Sequence, residues 1–213
     1  MHTYKRLPVM FERGEGCWLW DKQGKRYLDA LAGIAVVGLG HSHPRFVQAV
    51  IAQAQKLIHT ANGYEIENQE ALGDRLASIA GMDEVFFCNS GCEANEAAIK
   101  IARLYGHHKG IEMPAIIVME KAFHGRTIAT LSATGSRKVQ AGFEPLVPGF
   151  ARVPFDDFAA IKKVAENNRN VVAVLVELIQ GEGGINICHP EYLHGLREIC
   201  SVNGWLLMLD EVQ

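Results

Sequence analysis

No apolar run in the 213-residue chain approaches the ~20 residues that a membrane-spanning helix needs. The opening residues, MHTYKRLPVMFERGEG, lack the apolar h-region of a secretory signal. Charge of one sign is also scarce: the formal net charge is −3 and the isoelectric point is near 6.3. A balance so close to neutral gives no footing for nucleic acid or for an anionic membrane. Cys17, Cys88, Cys92, Cys188 and Cys200 form no C-x-x-C pair, and an odd, scattered count suits a reducing cytosol rather than a disulfide framework. Histidine pairs occur at His41-x-His43 and His107-His108. Neither has a third ligand at metal spacing, so they read as loop or surface residues and no metal site is expected. Repeats and low-complexity tracts are absent.

What the chain does have is apolar residues, 48% of the total, enough for a substantial core, in a length that suits one domain or two small ones. Residues 17–29 read as a hairpin turning at Asp21-Lys-Gln-Gly24, and 33–43 as a glycine-punctuated loop. Pro44 suits the first turn of a helix to about His59, and a second helix is expected over roughly 67–79. From residue 84 the rhythm changes to strands alternating with helices. Strands are predicted at 84–88, 115–119, 151–155, 171–178 and 206–212, with Pro154 demoting the third to an edge strand or weaker. Helices are predicted at 92–105, near 127–134, after an Asp156 cap to about 167, and at 190–203. Continuous apolar strands between amphipathic helices imply an α/β fold with a mostly parallel sheet covered on both faces. Residues 1–80 read as part of a smaller domain and 81–213 as the first part of a larger one. The chain ends at Asp210-Glu-Val-Gln213, directly after an apolar strand. Because termini are normally exposed and frayed, a continuation is expected.

Four polar clusters each follow a predicted strand, where ligands of open α/β sheets bind. In Cys88-Asn-Ser-Gly-Cys-Glu-Ala-Asn95, the helix start offers free N–H groups and the positive end of a dipole to a phosphate. Ser90-x-x-Glu93 is equally a good capping box and nothing more. In Ala122-Phe-His-Gly-Arg-Thr127, Phe123 suits stacking on a flat ring and Arg126 suits a carboxylate. His124 reads as packed or hydrogen-bonded, not as a base. Glu177-Leu-Ile-Gln-Gly-Glu182-Gly-Gly brings two acids and backbone close to a ligand, or is an acidic turn. Asp210 is the sharpest signal. A carboxylate after Leu-Leu-Met-Leu is buried, so its charge needs a cationic partner such as a protonated heterocyclic nitrogen.

The stretches NSGCEANEAAIK, AFHGRT, QGEGG and LDEVQ resemble the motifs of class III, fold-type-I aminotransferases, which use pyridoxal 5'-phosphate. The likeness runs the length of the chain in the family's order. It implies that Ser90, Gly91 and Cys92 hold the cofactor phosphate, that Phe123 stacks on its ring, and that Asp210 keeps the ring nitrogen protonated. It also implies that Val212 packs on the other ring face and that Gln213 bonds the phenolic oxygen. Arg126 would take the substrate α-carboxylate, and Glu182 would line the substrate pocket. Cys92 stands where the family usually has Thr, Leu178 where Pro is common, and Val37-Gly38 where Asn is frequent. The opening TYKRLPVMFERGEGCWLWDKQGKRYLDALAGIAVVGLGHSHP is similar to the branch that acts on acetylornithine. Ornithine-specific members carry Tyr where this chain has Ile34, and an apolar neighbour suits an acylated, uncharged nitrogen. The resemblance therefore implies acetylornithine as donor, 2-oxoglutarate as acceptor and a cytosolic homodimer. Succinylornithine, succinyl-diaminopimelate, ornithine and 4-aminobutyrate remain alternative donors, and a non-catalytic remnant is the alternative outside enzymes. The family's Schiff-base Lys lies beyond the DEVQ motif. The strands that separate segment 84–88 from the strand ending at Asp210 follow it too, so a gap in the sheet is expected.

Overall fold

The computed structural model describes residues 3–213. They divide into two compact units, one extending to Phe86 and including Gln213, the other Phe87–Val212.

The first unit opens with an antiparallel sheet of β1 (Phe11–Glu15), β2 (Trp18–Asp21) and β3 (Arg26–Leu28). The expected hairpin is present, joined by a strand that the sequence did not suggest. Its turn is organised by Asp21. One carboxylate oxygen accepts from Gln23 and Lys25 N–H at 3.0 and 2.9 Å, and the other accepts from the Tyr27 hydroxyl at 2.9 Å. Arg13 stacks 3.6 Å over the Trp20 ring, an arrangement in which a cation meets the negative face of the indole. Next comes α1 (Ala32–Ala35), a single turn with positive φ throughout. Asp29 anchors it by accepting from Leu31 and Ala32 N–H, and His41 holds the other oxygen of Asp29 at 2.7 Å. Then follow α2 (Pro44–Ala54) and α3 (Glu67–Ala80). Pro44 begins α2 as expected, but the helix ends five residues short of His59. Gly81, at φ 63°, closes α3 with its N–H on Ala77.

The second unit holds the parallel sheet. Its elements are α4 (Gly91–His108), β4 (Ala115–Met119), α5 (Ile128–Ala133), α6 (Arg137–Gln140), β5 (Phe150–Val153), α7 (Phe158–Asn167), β6 (Val171–Glu177), β7 (Ile179–Gln180), β8 (Asn186–Ile187), α8 (Pro190–Asn203) and β9 (Leu206–Asp210). The strand order is β5-β4-β6-β9, all parallel. Every residue of β4 and β6 is buried, as an apolar strand covered on both faces must be. Alternate side chains separate into two clusters. Ile117, Met119, Val174 and Val176 pack with Ile161 of α7 and Leu196 of α8. Ile116, Val118, Val172 and Leu175 pack with Ile99 and Ala102 of α4. Each fully buried aliphatic side chain of this kind contributes roughly 1.5–3 kcal/mol.

Three expectations need correction. Residues 84–88 form no strand. No described segment pairs with them, and an extended stretch with an unpaired backbone on both sides gains no ladder; Phe86 is 74% exposed. The cap of α7 is Asp157, whose carboxylate accepts from Ala160 N–H at 2.9 Å, not Asp156. And β9 ends at Asp210 rather than at residue 212. Pro154 lies just past β5, which is an edge strand as anticipated.

Asp156 has a different task. It accepts from His189 N–H at 3.0 Å and meets the His189 ring, tying the loop before α7 to the N-cap of α8. The carboxylate holds His189 above the usual imidazole range. Burial alone would raise Asp156, but the bonds from His189 outweigh it and hold the carboxyl below its usual range. The raised imidazole stabilises the fold below its unfolded value, and that contribution is lost as pH rises through the folded one. The depressed carboxyl stabilises above its unfolded value, and its contribution is lost as pH falls through the folded one. Both act together between about pH 4 and 6.5. Urea midpoints of the protein and of His189→Gln, measured from pH 3 to 9, are expected to differ most in that window and to converge above it. A difference constant across the range would remove the ion pair as its cause.

Candidate active site

The site grows out of the carboxyl ends of β4, β6 and β9 and the first turn of α4. Asp210, the last residue of β9, is 8% exposed. Its Oδ2 accepts from the Asn95 amide at 2.8 Å and faces His124 Nδ1 at 2.8 Å, while Oδ1 accepts from Val212 N–H at 3.1 Å. Burial alone would push this carboxyl up, by several kcal/mol of lost hydration. The bonds from His124, Asn95 and Val212 outweigh it and hold the group below the usual carboxylate range. A hydrogen bond to a charged group contributes about 1.5–3 kcal/mol, so three of them suffice to keep Asp210 ionised. The His124 side chain is fully buried, as the sequence suggested, with Nε2 unpartnered among the described residues.

Phe123 and Arg126 leave β4 on the loop before α5. Phe123 N–H donates to Glu177 Oε2 at 3.0 Å, which ties this loop to the end of β6. Burial raises the Glu177 carboxyl, although the N–H groups of Phe123 and Gly181 oppose the rise. The Arg126 guanidinium stands 5.3 Å from the centre of the Phe123 ring. Gly125, at φ 134°, is required here: a Cβ would come within 2.6 Å of both Cys92 Sγ and Thr130 Oγ1. The far end of α5 is secured by Arg152, whose guanidinium donates to the carbonyls of Ser132, Ala133 and Thr134 at 2.9, 3.2 and 2.8 Å.

Ser90 caps α4. Its hydroxyl accepts from Glu93 N–H at 3.2 Å, and the Glu93 carboxylate reaches back to Asn89 N–H. The Ser90 cap is therefore real, although the return bond of the expected capping box goes to Asn89, one residue before the N-cap. It also leaves Gly91 and Cys92 with N–H groups that have no carbonyl inside the helix to take them. The Cys92 thiol lies 3.4 Å from the hydroxyls of both Thr127 and Thr130. Burial would raise it, but these bonds and the N–H groups of Thr127 and Arg126 prevail and hold it below the usual thiol range. Val212 packs at the same helix start, where a Cβ on Gly91 would lie 2.6 Å from Val212 Cγ1.

Arg126 and Glu182 line one cavity of about 700 Å³, together with Phe123, Ile128, Lys138 and Phe143. The Glu182 loop is the turn between β7 and β8. Fully buried Gln180 pins it, donating to the Glu120 carbonyl at 2.8 Å and accepting from Asn186 at 3.0 Å.

Of the residues singled out from the sequence, Gly91, Cys92, Phe123, Arg126, Glu182, Asp210 and Val212 all belong to this unit. Ser90 acts through its cap, and Gln213 groups with the other unit. The cluster at Ser90 follows an unpaired segment, not a strand. Sequence reasoning missed Asn95, which shares the buried face of α4 with Ile99, Ala102 and Gly106. An amide at an apolar position of the helical repeat was the available signal.

The model of the family "Aminotransferase class-III" matches residues 1–213. The acetylornithine aminotransferase of Nitrosomonas europaea is 66% identical over the whole chain, which covers 54% of that protein. The solved acetylornithine aminotransferase of Elizabethkingia anophelis superposes with a TM-score of 0.85 at 38% identity, over 100% of this chain and 52% of its own. An ornithine aminotransferase of Toxoplasma gondii, described with partial occupancy of PLP at its active site, gives 0.92 at 34% identity, over 98% of this chain and 49% of its own. The chain spans about half the length of the relatives it matches. On the match of the family model across the whole chain, the protein belongs to the class-III aminotransferases.

Proposed function

We propose that the protein's activity is transamination between N2-acetylornithine and 2-oxoglutarate, with pyridoxal 5'-phosphate as cofactor, in arginine biosynthesis, carried out by a cytosolic homodimer. The observation that carries the reading is the buried, ionised Asp210 beside the open first turn of α4. One end of the site accepts a protonated ring nitrogen and the other a phosphate. The residues fit the group in a second respect as well: the loop of Phe123 and Arg126 passes close to α4 only because residue 125 has no side chain.

When bound, pyridoxal phosphate supplies a protonated ring that withdraws electrons from the carbon losing its proton. This chain's own residues would prepare that chemistry. Gly91 and Cys92 N–H groups would hold the phosphate at the positive end of α4, with Ser90 shaping the turn. Asp210 would hold the proton on the ring nitrogen, while Phe123 and Val212 would bracket the ring. Arg126 would grip the α-carboxylate of either substrate as a bidentate fork, and Glu182, which lines the same cavity, would face the substrate. The preference for a donor whose α-nitrogen is acylated and uncharged rests on the sequence alone, where Ile34 stands in place of the Tyr of ornithine-specific members.

The test is a donor series on the full-length gene product supplied with pyridoxal phosphate. Glutamate formation from 2-oxoglutarate is measured with acetylornithine, succinylornithine, ornithine and 4-aminobutyrate. The highest kcat/KM is expected for acetylornithine. Preference for ornithine or 4-aminobutyrate would reassign the substrate, and no transfer from any amine would remove the aminotransferase reading.

A further inference from the structure

Asp210 accepts three hydrogen bonds, and their distribution between its two oxygens is uneven. Oδ2 receives both side-chain partners, Asn95 Nδ2 at 2.8 Å and His124 Nδ1 at 2.8 Å. Oδ1 receives only Val212 N–H at 3.1 Å. A carboxylate oxygen offers about two acceptor places. Oδ2 is therefore full, and one place remains, on Oδ1. Asn95 is oriented without ambiguity. Its amide nitrogen donates both to Asp210 Oδ2 and to the His124 carbonyl at 2.9 Å, whereas a flipped amide would set an oxygen against two oxygens. The residue is 6% exposed and emerges from the second turn of an 18-residue helix, so the rigid helix, not a mobile loop, aims the donor.

We propose that Asn95 is a positioning residue for Asp210. By occupying Oδ2 together with His124, it turns Oδ1 toward the ligand and limits the acid to a single cationic N–H partner. The proposal rests on the pyridoxal-phosphate reading for the identity of that partner, a pyridinium nitrogen. The arrangement of the carboxylate itself can be tested without any cofactor. The other ionisable groups around it are His124, on the same oxygen, and Glu177, whose carboxyl Asp210 helps to raise.

The first measurement uses the unmodified full-length protein in its cofactor-free form. Side-chain amide protons of Asn95 are expected to exchange slowly with water and to change shift with the titration of the Asp210 carboxyl, followed by carbon-13 NMR. Fast exchange, or amide shifts indifferent to that titration, would overturn the proposal. The second uses Asn95→Leu, similar in branching but without donors, and Asn95→Asp, which replaces donors by acceptors. In both, the Asp210 carboxyl is expected to titrate at higher pH. In Asn95→Leu, pyridoxal phosphate should bind about tenfold or more weakly, with the bound ring nitrogen deprotonating at lower pH by nitrogen-15 shift. If Asn95→Leu keeps the wild-type circular dichroism and the Asp210 titration does not move, Asn95 only ties α4 to the neighbouring loop and the proposal fails. Should the variants not fold, the amide exchange and titration of the unmodified protein decide. If the carboxyl and amide behave as expected but pyridoxal phosphate does not bind the unmodified protein, the functional reading falls while the coupling of Asn95 to Asp210 stands.

Discussion

Asp210→Asn in the full-length protein is expected to lower transamination by at least about 100-fold, equivalent to roughly 2.7 kcal/mol of barrier, while the fold survives. The substitution removes the negative charge that keeps a ring nitrogen protonated, and with it the electron-withdrawing power of the ring. The shape is nearly unchanged, so β9 keeps its parallel register with β6, Glu177 opposite residue 210. Two of the three existing bonds would also be disturbed in character, since Asn95 and His124 now donate to a neutral amide instead of a carboxylate. Asp210→Ala is expected to be worse for stability, because it strands both buried donors. Steady-state rates beside a thermal melt separate the two effects. Near-normal turnover in Asp210→Asn would show that the acid is not the partner of the ring nitrogen.

Arg126→Lys is expected to raise KM for both acetylornithine and 2-oxoglutarate by roughly 10- to 100-fold, the equivalent of one lost charge-assisted bond of about 1.5–3 kcal/mol. Both substrates present an α-carboxylate, and lysine keeps the charge but not the planar two-pronged geometry. The position in the cavity supports the assignment: Arg126 lines the same wall as Phe123 and faces a space shared with Glu182. Affinity for pyridoxal phosphate should change little, since the helix start that would hold the phosphate is built from Gly91 and Cys92 backbone. Kinetics with each substrate varied, together with a cofactor titration, make the comparison. Loss of cofactor binding with unchanged KM for both substrates would move Arg126 to the phosphate site.

The two units differ in how much their residues reveal locally. The lengths and kinds of most elements in the second unit follow from patterns within a few residues. Val171–Glu177 is an unbroken apolar run and became a strand buried on both faces. Pro190 opens α8, and Gly204, at φ 63°, closes it. The acid placed after Leu206-Leu-Met-Leu had to be buried, and buried acids need partners; that much was written in nine residues. What those partners are was not. Asn95 is 115 residues from Asp210 and His124 is 86. No local periodicity relates positions so far apart, and only the packing of α4 against the ends of β6 and β9 brings them together. The same reason explains the failure at 84–88. The segment has the composition of a strand, but a strand exists only where a neighbour offers a ladder, and none of the described residues does. Choice of cap was decided at the same level. Asp156 and Asp157 are adjacent and chemically identical, and His189 from a distant turn draws the first away, leaving the second to cap α7. Sequence by itself determined most elements of the second unit, the buried acid and the family; tertiary structure decided the strand order, whether 84–88 could pair, and which atoms of that acid remain free, because all of these depend on contacts between residues that the chain keeps far apart.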